Sequence, residues 1–530
     1  MTLPPRMTPA VPARALSRRT VLELAGLGAV AATSAGIATE AQAAPASQRA
    51  IYHMTPPRGW LCDPQRPIQY RGRTWLYYLH SDTNYGDGGW DVATTTDLVH
   101  FGDSSVAIPL TPSFPVWTGS AVIDERNTAG FGAGAVVVLA TQPTAGVRRK
   151  QEQYLYWSHD GRSFTRYETP VIVNPDGDAA RTPEEIENAE WFRDPKVVWD
   201  EERSQWVCVI GRHTYASIYT STDLKSWRWT ANFDYLDGIV PDLGGLECPD
   251  FFRMTADDGT RHWVLAASMD AWGAGLPMTY AYWVGDWDGI RFTTAATNPQ
   301  WLDWGWDWYA AVTWPDPADP ESRRLALGWM NNWKYAARDV PTDATDGYNG
   351  QNSVVRSLTL QRQPGGWYTL LSAPAAALDE SAFCAGARIS DRDVDGRIAL
   401  PRTGRAYSLE LDIDWSEATN VGVAVGSNAD DSRHTNIGVY DGRVYVDRGP
   451  SDRPEYSFLP YRQAEAPIDP AARHVHLRIL VDRQSVEVFV NAGFTVLSQQ
   501  VYFLEGDEYV RLYSYGGTAR FSNIVWKDPR

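Results

Sequence analysis

The chain has 530 residues, 43% of them hydrophobic and 21% charged, with a formal net charge of −17. That length holds two or more domains with cores of their own, and 24 Trp, 26 Tyr and 15 Phe exclude a disordered, collagen-like or coiled-coil chain. So acidic a chain disfavours nucleic acid and anionic lipid as partners and suits a neutral polar ligand, sugars among others.

Residues 1–43 read as a leader and not as fold. Ser17-Arg18-Arg19-Thr20-Val21-Leu22 is a twin-arginine pattern, an apolar run follows from Leu24 to Ala38, and Ala41-Gln42-Ala43 offers a small-x-small cleavage site. A run this short and rich in Gly and Ala does not span a bilayer, and no other stretch is long and apolar enough. A secreted protein with no membrane partner is expected. The four cysteines (Cys62, Cys208, Cys248 and Cys384) are too few to staple a chain this long, and none sits in a zinc-type cluster.

From residue 50 a weak motif recurs, an Asp followed four residues later by an aromatic. The copies are Asp97/Phe101, Asp160/Phe164, Asp223/Trp227 and Asp288/Phe292, spaced by 63, 63 and 65 residues. β-rich sequence such as Tyr154-Leu155-Tyr156-Trp157 precedes them, and Asp-Gly and Asp-Leu steps mark hairpin turns. Coincidence competes with a repeat here, since aromatics are common in this chain. A regular period filled with short strands predicts a propeller with one four-stranded blade per repeat, and residues 50–372 divide into five. Ser372 to Ala377 reads as a boundary. Beyond it, over 380–530, short strands at Tyr407–Trp415, Val421–Gly426, Arg443–Asp447, Val475–Asp482, Ser485–Val490 and Tyr509–Tyr515 predict a β-sandwich. The fold class is all-β: a five-bladed β-propeller followed by a C-terminal β-sandwich.

Three acids lie in proline-containing contexts: Trp60-Leu61-Cys62-Asp63-Pro64, Trp191-Phe192-Arg193-Asp194-Pro195 and Gly245-Leu246-Glu247-Cys248-Pro249. They precede the next repeat aspartate by 34, 29 and 41 residues, similar slots early in three blades. Inner strands of a propeller line its channel, so the three carboxylates are expected at one mouth. Clustered carboxylates divide into protonated and charged forms, which is what glycoside cleavage requires. A turn aspartate is the plain alternative for any one of them. Trp117-Thr118-Gly119-Ser120 and Asp303-Trp304-Gly305-Trp306-Asp307-Trp308-Tyr309 fill the other two inner positions and add hydroxyl, carboxylate and aromatic groups, or serve blade packing. No serine-nucleophile elbow, phosphate loop, dinucleotide fold or HExxH pair is present. Asp391-x-Asp393-x-Asp395-Gly396 opens like a calcium loop but has Arg402 at position twelve. No metal or other cofactor is expected.

These blocks resemble the invertase, inulinase and levanase family of fructan-acting enzymes, glycoside hydrolase family 32. The resemblance rests on Trp60 to Arg66, Arg193-Asp194-Pro195, Glu247-Cys248-Pro249, Trp117 to Ser120, Trp90-Asp91-Val92-Ala93 and Leu477 to Gly493. It implies Asp63 as nucleophile, Glu247 as general acid/base and Asp194 as transition-state stabiliser. It also implies substrate contacts from Trp60, Gln65, Trp90, Trp117, Ser120, Arg193 and Asp307. The chain departs from the family at Cys62 (family Asn), at Gln65-Arg66 (family Asn-Gly) and at Leu79 (family Gln), positions expected near the first fructosyl subsite. Trp60 to Pro67, Tyr77 to Asp82 and Trp329 to Ala336 look most like bacterial levan fructotransferases, which implies levan as partner and difructose dianhydride IV as product. A levanase or levanbiohydrolase releasing fructose or levanbiose is the alternative. A non-catalytic propeller–sandwich lectin is another, and it would need none of the three acids.

Overall fold

The computed structural model describes residues 46–83, 88–111, 115–143, 150–177, 180–235 and 243–530, and the expected leader lies outside them. Residues Ala46–Arg530 form one compact unit. It is a five-bladed β-propeller followed by a β-sandwich.

Each blade is an antiparallel sheet that starts from an inner strand. The five inner strands are β1 (Gly59–Pro64), β2 (Gly119–Asp124), β3 (Arg193–Asp200), β4 (Leu246–Thr255) and β5 (Tyr309–Pro315). The repeat aspartates explain the period. Each sits in the turn between the third and outer strand of its blade and caps that turn with its own side chain. Asp160 Oδ1 accepts the backbone N–H of Arg162 and Ser163 at 2.8 Å each. Asp97 does the same for Val99 and His100, Asp223 for Lys225 and Ser226, and Asp288 for Ile290 and Arg291. The aromatic four residues on folds back onto the blade: Phe292 is buried, and Phe101, Phe164 and Trp227 are half-buried against the core.

Blade V breaks the pattern. Its second strand (Arg323–Trp329) and third strand (Arg356–Arg362) are separated by an excursion that carries Tyr348–Asn349 across to blade I, where it pairs parallel to β1. That pairing closes the ring. The last strand of the blade ends at Pro374, and a short helix, Ala376–Ser381, leads into the sandwich.

The sandwich is organised by one long strand, Tyr509–Lys527, which pairs with Asn420–Ser427 along its first half and with Tyr407–Trp415 over the second. Its core is aliphatic, with Leu409, Val423, Ile437, Leu477, Val488 and Leu512 fully buried. Buried charges join it to the propeller. Arg356 of blade V reaches Asp303 at 2.8 Å and Glu487 at 2.6 Å, and His53 lies between Asp482 and Glu487. Burial opposes charging of His53, but the two carboxylates outweigh it and lift the imidazole to about 9.

Candidate active site

The proline motifs are β-bulges. In β1, β3, β4 and β5 the ladder skips two residues early in the strand: Cys62 and Asp63, Asp194 and Pro195, Cys248 and Pro249, Ala310 and Ala311. Pro195 and Pro249 lie within bulges, where no ladder N–H is needed, and Pro64 directly follows one. The first bulged residue takes positive φ in three of the four: Asp194 at 62°, Cys248 at 46° and Ala310 at 48°. A bulge re-aims the side chains around it, which turns the carboxylates toward the channel mouth. The three acids are therefore staggered and do not share one slot. Glu247 precedes its bulge, Asp194 is first within it and Asp63 is second.

The stagger brings them together. Asp63 and Asp194 are each 6% exposed, and the Cys248 thiol lies between them, 3.8 Å from Asp63 Oδ2 and 3.7 Å from Asp194 Oδ2. The Thr118 hydroxyl donates to Asp63 Oδ2 at 2.6 Å, whereas Asp63 Oδ1 is buried with no hydrogen-bond partner among the described residues. Asp194 Oδ2 accepts the Cys248 backbone N–H at 2.9 Å. Glu247 is held at both oxygens, Oε1 by Arg193 Nη1 at 3.2 Å and Oε2 by the Tyr309 hydroxyl at 2.7 Å.

Burial raises both aspartates. Asp63 is pushed up to about 6, with Glu247 adding to the rise and Thr118 opposing it. Asp194 is pushed up to about 7 by burial and the Glu247 charge, against the pull of Arg193. Burial also pushes the Cys62 and Cys248 thiols well up, so both are neutral. All four cysteines are free.

Other expected contact residues divide into two groups. Arg193 stands with the acids, its guanidinium 4.1 Å from the Trp191 ring and 5.7 Å from that of half-buried Trp117. Gly245 leaves room for Trp191, since a Cβ there would lie 2.1 Å from the indole. Trp60 is 4% exposed and meets Trp329 edge-on and the exposed Trp333 at a tilt, with ring centroids 5.9 and 6.0 Å away.

The second group is used up by the fold, which corrects the expectation of sugar contact. Gln65 is fully buried and clips blade I to blade II, donating to the Asp63 carbonyl and accepting the Gly119 N–H at 2.7 Å. Ser120 accepts the Val197 N–H of blade III at 2.8 Å. Trp90 is fully buried and donates to the Trp117 carbonyl. Asp307 faces the sandwich, where Arg448 Nη1 meets it at 2.7 Å and the Gln500 N–H and Tyr335 hydroxyl complete its shell. Arg66 is turned away as well: Nη1 reaches the Ala121 carbonyl at 3.4 Å, and the residue lines a cavity at the far end of the channel. Leu79 is half-buried and packs against the core.

Thr118, Cys248, Trp191 and Tyr309 complete the site; all four lie in the segments singled out from the sequence, where none was given a role of its own. Tyr309 was findable in principle. It occupies in β5 the pre-bulge position of Glu247 in β4, but the β5 bulge, Ala310 and Ala311, holds no proline.

Residues 53–374 match the N-terminal domain model of glycosyl hydrolases family 32, and residues 384–528 match the C-terminal one. The chain is 43% identical over 490 residues to the levanbiose-producing levanase of Bacillus subtilis (strain 168), covering 90% of both chains. It is 42% identical over 418 residues to the levanbiose-producing levanase of Geobacillus stearothermophilus, covering 77% of this chain and 100% of that one. Among solved structures, exo-inulinase from Aspergillus awamori superposes with a TM-score of 0.80 at 26% identity, over 92% of this chain and 99% of that one.

Proposed function

The chain belongs to glycosyl hydrolase family 32, and from that premise we propose that it is a levanase, cutting β-2,6-linked fructan two units from the chain end and releasing levanbiose. The observation that carries the chemistry is the asymmetry at Asp63. One oxygen is fixed by Thr118 and the other is buried without a partner, as suits a nucleophile whose lone pair faces a reacting carbon.

In the first step Glu247 donates a proton to the glycosidic oxygen while Asp63 Oδ1 bonds to carbon 2 of the fructosyl unit. The C2–O bond breaks and the shortened fructan leaves as an alcohol. Asp194, beside the ring, stabilises positive charge developing at carbon 2. In the second step Glu247 takes a proton from water, the oxygen attacks carbon 2 and the ester to Asp63 breaks. Two displacements give net retention.

Support for levanbiose as product comes from the two relatives named for it. They favour the hydrolytic alternative over the cyclising transferase, whose case rested on three short segments. Two of the departures from the family pattern, Gln65 and Arg66, are directed into blade packing and toward the rear of the channel. The lectin alternative has no support, since the three acids are present and assembled. Digestion of levan by the mature protein, with the early product sized by mass and assayed for a reducing end, tests this reading.

A further inference from the structure

All five inner strands begin at the acid mouth and run toward the opposite one. There the ends of β2, β3 and β5, together with Arg66 to Gln69, line a cavity of about 380 Å³ whose walls include Trp199, Trp206 and Trp314. Between the two mouths lies a buried charge cluster that the reaction does not use. Lys196 of β3 and Arg324 of blade V are 3% and 4% exposed, and Asp250 of β4 is fully buried.

The cluster is unbalanced. Asp250 Oδ1 pairs with Lys196 Nζ at 2.8 Å, and its Oδ2 accepts the Thr313 N–H at 2.9 Å and the Tyr280 hydroxyl at 3.2 Å. That carboxylate is then saturated. Arg324 donates from Nε to the Thr313 hydroxyl at 2.9 Å and covers the Phe252 ring at 4.2 Å. Arg66 donates only the long bond to Ala121, and its Nε is buried with no partner. Among the described residues neither arginine has a carboxylate within ion-pair distance. At the rim Glu125 is exposed, and Arg126 is neutralised by Glu201 at 2.8 Å.

Three cations thus face one carboxylate, Lys196 and Arg324 buried and Arg66 half-buried where it lines the rear cavity. An uncompensated buried charge is costly, and the usual remedy is a counter-ion. Mutual repulsion shows in the titration of the group. Burial lowers Lys196 to about 8 and Arg324 to about 10, and Arg66 opposes the charge of both. Guanidinium N–H groups in a fixed fork suit a halide or an oxyanion.

We propose that the propeller channel binds a small inorganic anion between Arg66, Lys196 and Arg324, reached through the Trp-lined rear cavity and separate from the catalytic acids. The bound ion stabilises the ring without entering the reaction.

The test is thermal melting of the mature protein in gluconate, chloride and phosphate solutions of matched ionic strength, since ligand binding to the folded state alone raises the melting temperature with concentration. A saturable rise of several degrees is expected in chloride, in phosphate or in both, and the arm that responds identifies halide or oxyanion. Arg66→Met abolishes the rise, whereas Arg126→Ala at the rim keeps it. Equal melting in all three solutions, or an unchanged rise in Arg66→Met, overturns the proposal. If that variant does not fold, crystals of the unaltered protein soaked in bromide and in selenate decide. An anomalous peak beside Arg66 and Lys196 supports the site, and none there refutes it.

Discussion

The Tyr309 hydroxyl donates to Glu247 Oε2 at 2.7 Å, while Arg193 holds the other oxygen at 3.2 Å. The carboxyl proposed as acid/base is therefore anchored from both neighbouring blades. Tyr309→Phe removes one anchor with little change in volume. Loss of a hydrogen bond to a charged group is worth roughly 1.5–3 kcal/mol, so kcat should fall about 10–100-fold with KM nearly unchanged. The loss should shrink on a fructoside with a good leaving group, which needs no protonation. An equal loss on both substrates would assign Tyr309 a purely structural role.

The three acids should be individually indispensable. Asp63→Asn and Glu247→Gln are near-isosteric and should each cost about 10²–10⁴-fold in turnover while leaving substrate binding measurable. Asp194→Asn should lose a comparable amount through weaker stabilisation of positive charge at carbon 2. Steady-state kinetics alongside isothermal titration with a levan oligosaccharide separates the two effects. Near-normal turnover in any variant removes that residue from the chemistry.

The raised aspartates set the pH response. As the proposed nucleophile Asp63 must be ionised, so kcat/KM should decline as pH falls through about 6, not through the range near 4 of an ordinary aspartate. The same shift has a stability counterpart. A carboxyl whose folded value is raised binds its proton more tightly in the folded state, so its contribution is full below about pH 4 and lost as pH rises through about 6. Asp63→Asn should thus raise stability by about 3 kcal/mol at pH 8 and leave it little changed at pH 4. Melting curves at the two pH values check the sign.

Asp307 and Arg448 are both fully buried and join blade V to the sandwich at 2.7 Å. Breaking one side strands the other charge, so Arg448→Met should cost roughly 3–5 kcal/mol. The double variant Asp307→Asn/Arg448→Met should recover much of that loss, with KM on levan unchanged. A selective rise in KM at full stability would restore Asp307 to sugar binding.

The propeller was legible because its turns are built by single side chains. Asp97, Asp160, Asp223 and Asp288 each cap a turn and so leave a periodic trace. Blade V left none: its corresponding turn is Gln363 to Trp367, and the excursion between its second and third strands hides the spacing. The acids were legible through their prolines, but their stagger was not, because a bulge is set by pairing with a strand distant in sequence. Gln65, Ser120, Trp90 and Asp307 misled for a shared reason. A polar or aromatic residue beside a catalytic block looks the same in sequence whether it faces the channel or clips one blade or domain to the next. In the sandwich the long strand continues to Lys527, well past the expected Tyr515, since its second half is buried by pairing with Tyr407–Trp415.

The product of levan digestion bears most directly on the proposed reaction. The protein should release, from the earliest time points, a reducing disaccharide with the mass of levanbiose, its yield matching the loss of polymer. A non-reducing species one water lighter, or free fructose as the main early product, would contradict levanbiose release.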